Sequence, residues 1–221
     1  TEQEEKHFQN KITLSSSYTK KINIKSNVRT GIIVNQLGYN LALKDKQDTT
    51  QLTTRIHVKG ATQTLQAFFQ WNYKLNNQLT TNVGLHYNHL LLNNSNSIEP
   101  RASLKYDVNA HQNITLGYGL HSQLQPIGVY FAQSQSDDGK ILTLNKNLSL
   151  SKAHHIVMGY DVNINSFSHI KAEIYYQHLF SLPISKDTSS TYSIVNSTDG
   201  YTTAELVNNG LGKNYGLELT Y

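Results

Sequence analysis

Hydrophobic residues in this chain recur at every second position, from near its first residues to its last. Period two places successive side chains on opposite faces of an extended strand, whereas a helix needs a period near 3.6. The segment TLQAFFQWNYKL shows it best: Leu65, Ala67, Phe69, Trp71, Tyr73 and Leu75 share one face, and Gln66, Gln70, Asn72 and Lys74 the other. LTTNVGLHYN repeats the pattern, with Leu79, Val83, Leu85 and Tyr87 against Asn82, Gly84, His86 and Asn88. The Asn-rich NNQ between the two predicts a tight turn, and so a hairpin.

A second hairpin joins ASLKYDV to NITLGYGL across NAHQ, with Ala102, Leu104, Tyr106 and Val108 answered by Ile114, Leu116, Tyr118 and Leu120. A third joins HIVMGYDVNI to SHIKAEIYYQH across NSFS, with Ile156, Met158, Tyr160 and Val162 answered by Ile170, Ala172, Ile174 and Tyr176. ITLSSSYT, NVRTGIIVNQLGYNLALK and TTRIHVKG read as weaker strands. At about ten residues per strand, a single all-β domain over 1–221 holds roughly 10–12 strands.

No run approaches the ~18 consecutive apolar residues of a spanning helix, and the mean hydropathy of -0.47 is that of a polar chain. A transmembrane strand needs apolar residues at alternate positions alone, so a barrel can be polar on average and still sit in lipid. Two further signs favour an antiparallel up-and-down barrel over a soluble sandwich. Tight turns alternate with longer polar connections at 93–98, 123–140 and 185–205. Tyr73, Tyr87, Tyr106, Tyr118, Tyr160, Tyr176 and Tyr215 fall near the ends of apolar faces, where a hydroxyl reaches headgroups while the ring stays in lipid. The 14 Tyr also argue for an ordered chain.

Scattered basic residues and a net charge of +4 give no support for nucleic-acid binding. The absence of Cys removes disulfides, thiolate metal sites and Cys nucleophiles. TEQEEKHFQNK lacks a basic start followed by an apolar run, so either a leader has been removed or the chain begins partway through a longer one.

His154-His155 looks like a metal pair, yet neighbours in a strand point to opposite faces and cannot chelate one ion. His86, His89, His111, His121, His169 and His178 lack ligand spacing and read as polar wall or strand-end residues. Gly117 and Gly119 lack a third glycine and a following helix, which leaves room on a polar face as their role, and Asp137-Asp138-Gly139 reads as a polar turn. No Ser, His and Asp set has a nucleophile-elbow context, so no catalytic, cofactor or metal site is assigned. The expected inward set is Gln70, Asn72, Lys74, Asn82, His86, Arg101, Lys105, Asp107, Lys171, Glu173 and Gln177, polar as a lumen requires.

Three stretches in order resemble the barrel of TonB-dependent outer-membrane receptors. The first runs from Pro100-Arg101 through Tyr118-Gly119 to Pro126; the second from an Asn-x-x-Leu loop through Gly159-Tyr160 to Tyr175-Tyr176; the third carries Val207, Asn208, Gly210, Tyr215, Gly216 and Glu218. The resemblance covers about 98–221 and is nearest to receptors whose precursors carry a carboxypeptidase-regulatory-like domain. Ser151-Lys152 stands where that type usually has Pro-Glu, and Val157 or Met158 where its next strand often has a Glu.

The resemblance implies a partial barrel in the outer membrane of a Gram-negative bacterium, completed by further strands and a separate plug domain and energised by the TonB complex. A surface lipoprotein is among the partners it implies; the ligand is not. A complete plug-less channel of about 12 strands would instead need residues 11–18 to pair with 215–221. A secreted β-sandwich binding module is a third reading.

Overall fold

The computed structural model describes residues 3–46, 52–135, 138, 140–198 and 200–221. Its first six strands are β1 (Gln3–Asn23), β2 (Ser26–Asp45), β3 (Thr53–Lys74), β4 (Leu79–Leu90), β5 (Ser95–Asn109) and β6 (Gln112–Gln123). A long connection then carries helix α1 (Ile127–Tyr130) and a small hairpin, β7 (Gln133–Gln135) with β8 (Ile141–Thr143). β9 (Ser151–Asn165), β10 (Ser168–Ser185) and β11 (Leu206–Thr220) complete the series, with one 3-10 turn at Ile194–Asn196 before β11.

Nine strands form one sheet in the order β1-β2-β3-β4-β5-β6-β9-β10-β11, every neighbouring pair antiparallel. This is the up-and-down wall of a partial β-barrel. β1, β2 and β3 have 21, 20 and 22 residues, so TTRIHVKG is the first half of β3 and not a strand of its own. β1 and β11 are the two edges of the sheet and do not pair with each other. Nothing among the described residues packs over the outer face as a second sheet, which is what a sandwich would require.

Register turns the alternation into horizontal bands on that outer face. Leu116, Met158, Ile174 and Leu217 lie side by side on β6, β9, β10 and β11. One rung towards the long connections runs Tyr118, Ile156, Tyr176 and Tyr215; one rung the other way runs Ile114, Tyr160, Ala172 and Leu219, with Tyr106 beside Ile114. An aliphatic rung between tyrosine rungs is the expected profile of a wall whose outside faces lipid. All seven tyrosines singled out in the sequence lie on this face. At the rim nearest the long connections, His154 stacks with Tyr118, His178 and Phe180 at centroid distances of 6.0, 6.4 and 5.0 Å.

In β2 and β3 the amphipathic phase inverts partway along the strand. Ile32 and Val34 face outward, but Tyr39, Leu41 and Leu43 are buried on the inner face. β3 mirrors this, with Leu65, Ala67, Phe69 and Trp71 outward and Ile56 buried inward. No register shift lies between the two halves, since the one irregularity in this ladder is at Leu43/Lys44. A one-residue slip would flip every side chain; here the sequence changes phase while the ladder runs on. The strands leave the lipid-facing band and continue as one side of a water-excluding core.

A charge on the aliphatic rung tests this assignment. Leu116→Arg should lose about 2–4 kcal/mol of stability in vesicles, measured by urea unfolding, whereas Thr115→Arg on the inner face should change it little.

Candidate functional site

The inner face is the surface with chemistry to offer. All of Gln70, Asn72, Lys74, Asn82, His86, Arg101, Lys105, Asp107, Lys171, Glu173 and Gln177 lie on it. Short amides and hydroxyls link across strands: Thr13 Oγ1 donates to Asn35 Oδ1, and Asn35 Nδ2 to Thr64 Oγ1, both at 2.8 Å. Nearer the short turns, Asn27 Nδ2 donates to Asn72 Oδ1 at 3.4 Å and Asn72 Nδ2 to Asn82 Oδ1 at 2.8 Å. Charges are paired locally, Lys105 with Asp107 at 3.0 Å and Lys171 with Glu173 at 2.7 Å. Phe68, apolar on this face, is covered by the Arg29 guanidinium 5.6 Å from its ring centroid.

Glu99, 2% exposed, holds a deeply buried polar knot; its partners His86 and Arg101 belong to the expected inward set, whereas Glu99 itself does not. The β5–β6 ladder stops at Arg101↔Gly119, and Glu99, beyond the last pair, sends its carboxylate across the gap. Its Oε1 accepts from the backbone N–H of Ser122 at 3.0 Å and from the Ser122 hydroxyl. Its Oε2 accepts from Arg101 Nη2 at 2.8 Å and meets His86 Nδ1 at 3.0 Å. Asn88 Nδ2 donates to Ser122 Oγ at 3.1 Å, which ties β4 into the same knot. A carboxylate thus stands in for missing ladder bonds, satisfying a backbone donor that the parted strands leave open.

Two long connections cover the mouth end of this face. From the β6–β9 connection come Ile127, Val129, Tyr130, Phe131, Leu148 and Leu150, and from the β10–β11 connection Ile194. They pack on Tyr39, Leu41, Leu43 and Ile56 of the inverted strand halves, on Leu90 at the end of β4 and on Leu206. Gly128 permits the approach of the two connections, because a Cβ there would come within 2.6 Å of the Gly200 carbonyl oxygen. The β10–β11 connection reaches the far edge of the sheet, where Gln3 Nε2 donates to Tyr201 OH at 2.7 Å.

Asparagines fasten this cap. Asn145 Nδ2 donates to the Ala204 carbonyl and Asn145 Oδ1 accepts from Leu206 N–H, both at 2.9 Å. Asn93 Nδ2 donates to the carbonyls of Lys146 at 2.9 Å and Leu148 at 2.6 Å. Asn208 Oδ1 accepts from Ser149 N–H at 2.8 Å, while its Nδ2 donates to the carbonyls of Ser149 at 3.3 Å and Ser181 at 2.9 Å. Ser181 has a φ of 52° at a bulge in β10, and a Cβ on Gly210 would lie 2.5 Å from Ile184 Cγ2. The Val-Asn and Gly of the third resembling stretch are therefore a staple and a close approach. Asn208→Ala should loosen the cap by about 2 kcal/mol, seen as faster protease nicking in residues 144–150 with the wall intact.

The structure revises the expected loops. Residues 95–98 belong to β5, and the connection before them is a four-residue turn, 91–94, in which Asn94 takes a φ of 59° that asparagine tolerates. The connections at 124–150 and 186–205 are long as expected, but many of their apolar residues are spent on the cap, while Ile141, Leu142 and Val195 stay exposed. His154 and His155 lie on opposite faces, His154 outward against Phe180 and His155 inward beside His121 and Tyr175. Gly117 and Gly119 border an inner-face recess with Arg101. Of the Asp137-Asp138-Gly139 turn, Asp137 and Gly139 lie outside the described residues.

No protein-family model matches the chain, and no curated protein does. Solved structures do. The siderophore receptor PirA from Pseudomonas aeruginosa matches with a TM-score of 0.69 at 10% identity, over 96% of this chain and 39% of that one. The RagAB peptide transporter matches with a TM-score of 0.63 at 11% identity, over 98% of this chain and 28% of that one. The FrpB iron transporter from Neisseria meningitidis matches with a TM-score of 0.63 at 12% identity, over 96% and 33%. The chain spans well under half the length of each, and the likeness is one of fold.

Proposed function

We propose that residues 1–221 are one segment of the barrel of a TonB-dependent outer-membrane transporter, through whose lumen a ligand is taken up past a plug domain. The observation that carries this is a wall apolar outside and polar inside across nine strands, covering almost its whole length on receptors and transporters of siderophores, peptides and iron. A closed small channel would need β1 against β11, and these stand at opposite edges. The carboxypeptidase-regulatory-like subtype and a surface lipoprotein partner belong to the same proposal, supported by the resembling stretches alone. With the mouth over β2–β4 capped, ligand capture falls to the polar residues of 186–205 that the cap leaves exposed and to the wall below.

Uptake decides it. Cells expressing the gene that encodes this chain should accumulate a ferric siderophore, an oligopeptide or Cu²⁺ when TonB is present and lose that accumulation when TonB is deleted. Equal accumulation in both strains would sink the reading.

A further inference from the structure

Arg101 stands in cleared space. In its rung of the inner face the residues on either side are Gly84 on β4 and Gly119 on β6, and the rung continues to His155 on β9. One rung towards the short turns lie Asn82, Ser103, Gly117 and Val157. His121 leans over Gly119, where a Cβ would lie 2.7 Å from its Nε2, while Gly117 leaves open space. A recess of about 510 Å³ remains in front of them, a size suited to a small molecule. Gln70, Asn82, Arg101, His121 and His155 supply its polar lining, and no carboxylate lines it.

The guanidinium is the directional element of this recess. Among the described residues Arg101 makes a single hydrogen bond, from Nη2 to Glu99, and its side chain remains 38% exposed while that of Glu99 is 2% exposed. Glu99 thus orients the fork from behind; Nε is buried, and the donors left for the open side are those of Nη1 and the second N–H of Nη2. A planar fork with fixed orientation matches a carboxylate by two parallel N–H···O bonds, and the amides of Gln70 and Asn82 can donate further. Glu99 already offsets one positive charge, so a monoanionic carboxylate group is better matched than a phosphate dianion.

We propose that this recess binds the carboxylate group of a small-molecule ligand, with Arg101 as its anchor. The site rests on the reading of the inner face as a lumen wall. Its binding is scored on the purified chain without TonB or transport, so the two can fail separately.

The test titrates the folded chain in detergent with glutarate, in parallel with inorganic phosphate, by calorimetry. Glutarate should bind, and Arg101→Gln should weaken it at least about tenfold, the loss expected of a charge-assisted pair. Because Arg101→Gln also removes a partner of Glu99, a second variant fills the recess instead. At Gly117 a Cβ would meet nothing nearer than the Val157 carbonyl oxygen at 3.9 Å, so Gly117→Leu should fold, checked by circular dichroism, and abolish binding. The proposal is overturned if wild type takes up no glutarate at millimolar concentration, if Gly117→Leu binds as tightly as wild type, or if phosphate binds more tightly than glutarate.

Discussion

Replacing Glu99 by alanine should cost the wall about 3–5 kcal/mol, the range for stripping one partner from a buried charge cluster. The side chain is 2% exposed and serves Arg101, His86 and both the N–H and hydroxyl of Ser122. Truncation leaves a guanidinium without its counter-charge and a backbone donor with no ladder partner, because β5 and β6 have already parted at that height. Nothing local can replace the carboxylate. Two buried polar atoms on the same face, Ser97 Oγ and Arg101 Nε, are already without a hydrogen-bond partner among the described residues. Urea unfolding of the chain in vesicles measures the loss, and hydrogen exchange should place its first effect at Ser122. A cost below about 1 kcal/mol, as for an exposed pair, would show that the knot is solvated and not structural.

Tyr130→Ala should remove about 3–5 kcal/mol from the cap while leaving the wall in place. Tyr130 is fully buried in the core that the two long connections form with the inverted halves of β2 and β3 and the end of β4, and its hydroxyl accepts the Gln125 N–H at 3.1 Å. Protease nicking of residues 124–150 and 186–205 should accelerate together, since one core holds both. pH gives an independent reading. Burial pushes the Tyr130 phenol from an ordinary 10.0 up to about 12. The unfolded phenol loses its proton near 10 and the folded one near 12, so across that window the folded cap binds more protons and its stability falls as pH rises. Wild-type nicking should therefore increase between about pH 10 and 12, and Tyr130→Phe should flatten that increase.

What could be read from the sequence was whatever depends on alternation alone. The three hairpins, the outward tyrosines, the inward polar set and the split of His154 from His155 follow from parity, which one chain carries by itself. Parity fails where phase changes. NVRTGIIVNQLGYNLALK read as weak because its first half is apolar on one face and its second half on the other, and neither half is long. Strand length failed for the same reason at β3, where TTRIHVKG and TLQAFFQWNYKL are one strand with its apolar side exchanged. The cap was invisible because PIGVYFA shows no period and finds its partners on β2 and β3, far away in sequence. The knot was invisible because Glu99 matters through a gap in the β5–β6 ladder, and a ladder's end is set by the fold.

The exchange of apolar sides along β2 and β3 also bears on hydrophobic mismatch. A barrel meets a thicker or thinner bilayer by tilting, or by thickening or thinning the lipid around it, and small vertical shifts are tolerated where its outer face changes gradually. Here a rise of one rung would lift Val34 and Leu65 towards water, and sinking would draw Asn40 and Lys59 on the outer face into lipid. The wall cannot trade one for the other, because the residues beyond the switch are already committed to the cap. Adjustment then falls to the membrane, which must thin or thicken around this side of the barrel at a cost of fractions of a kcal/mol per Å. Fluorescence quenching of Trp71 by depth-placed lipid labels should accordingly stay fixed across vesicles of different acyl length, measured from the rim and not from the bilayer centre.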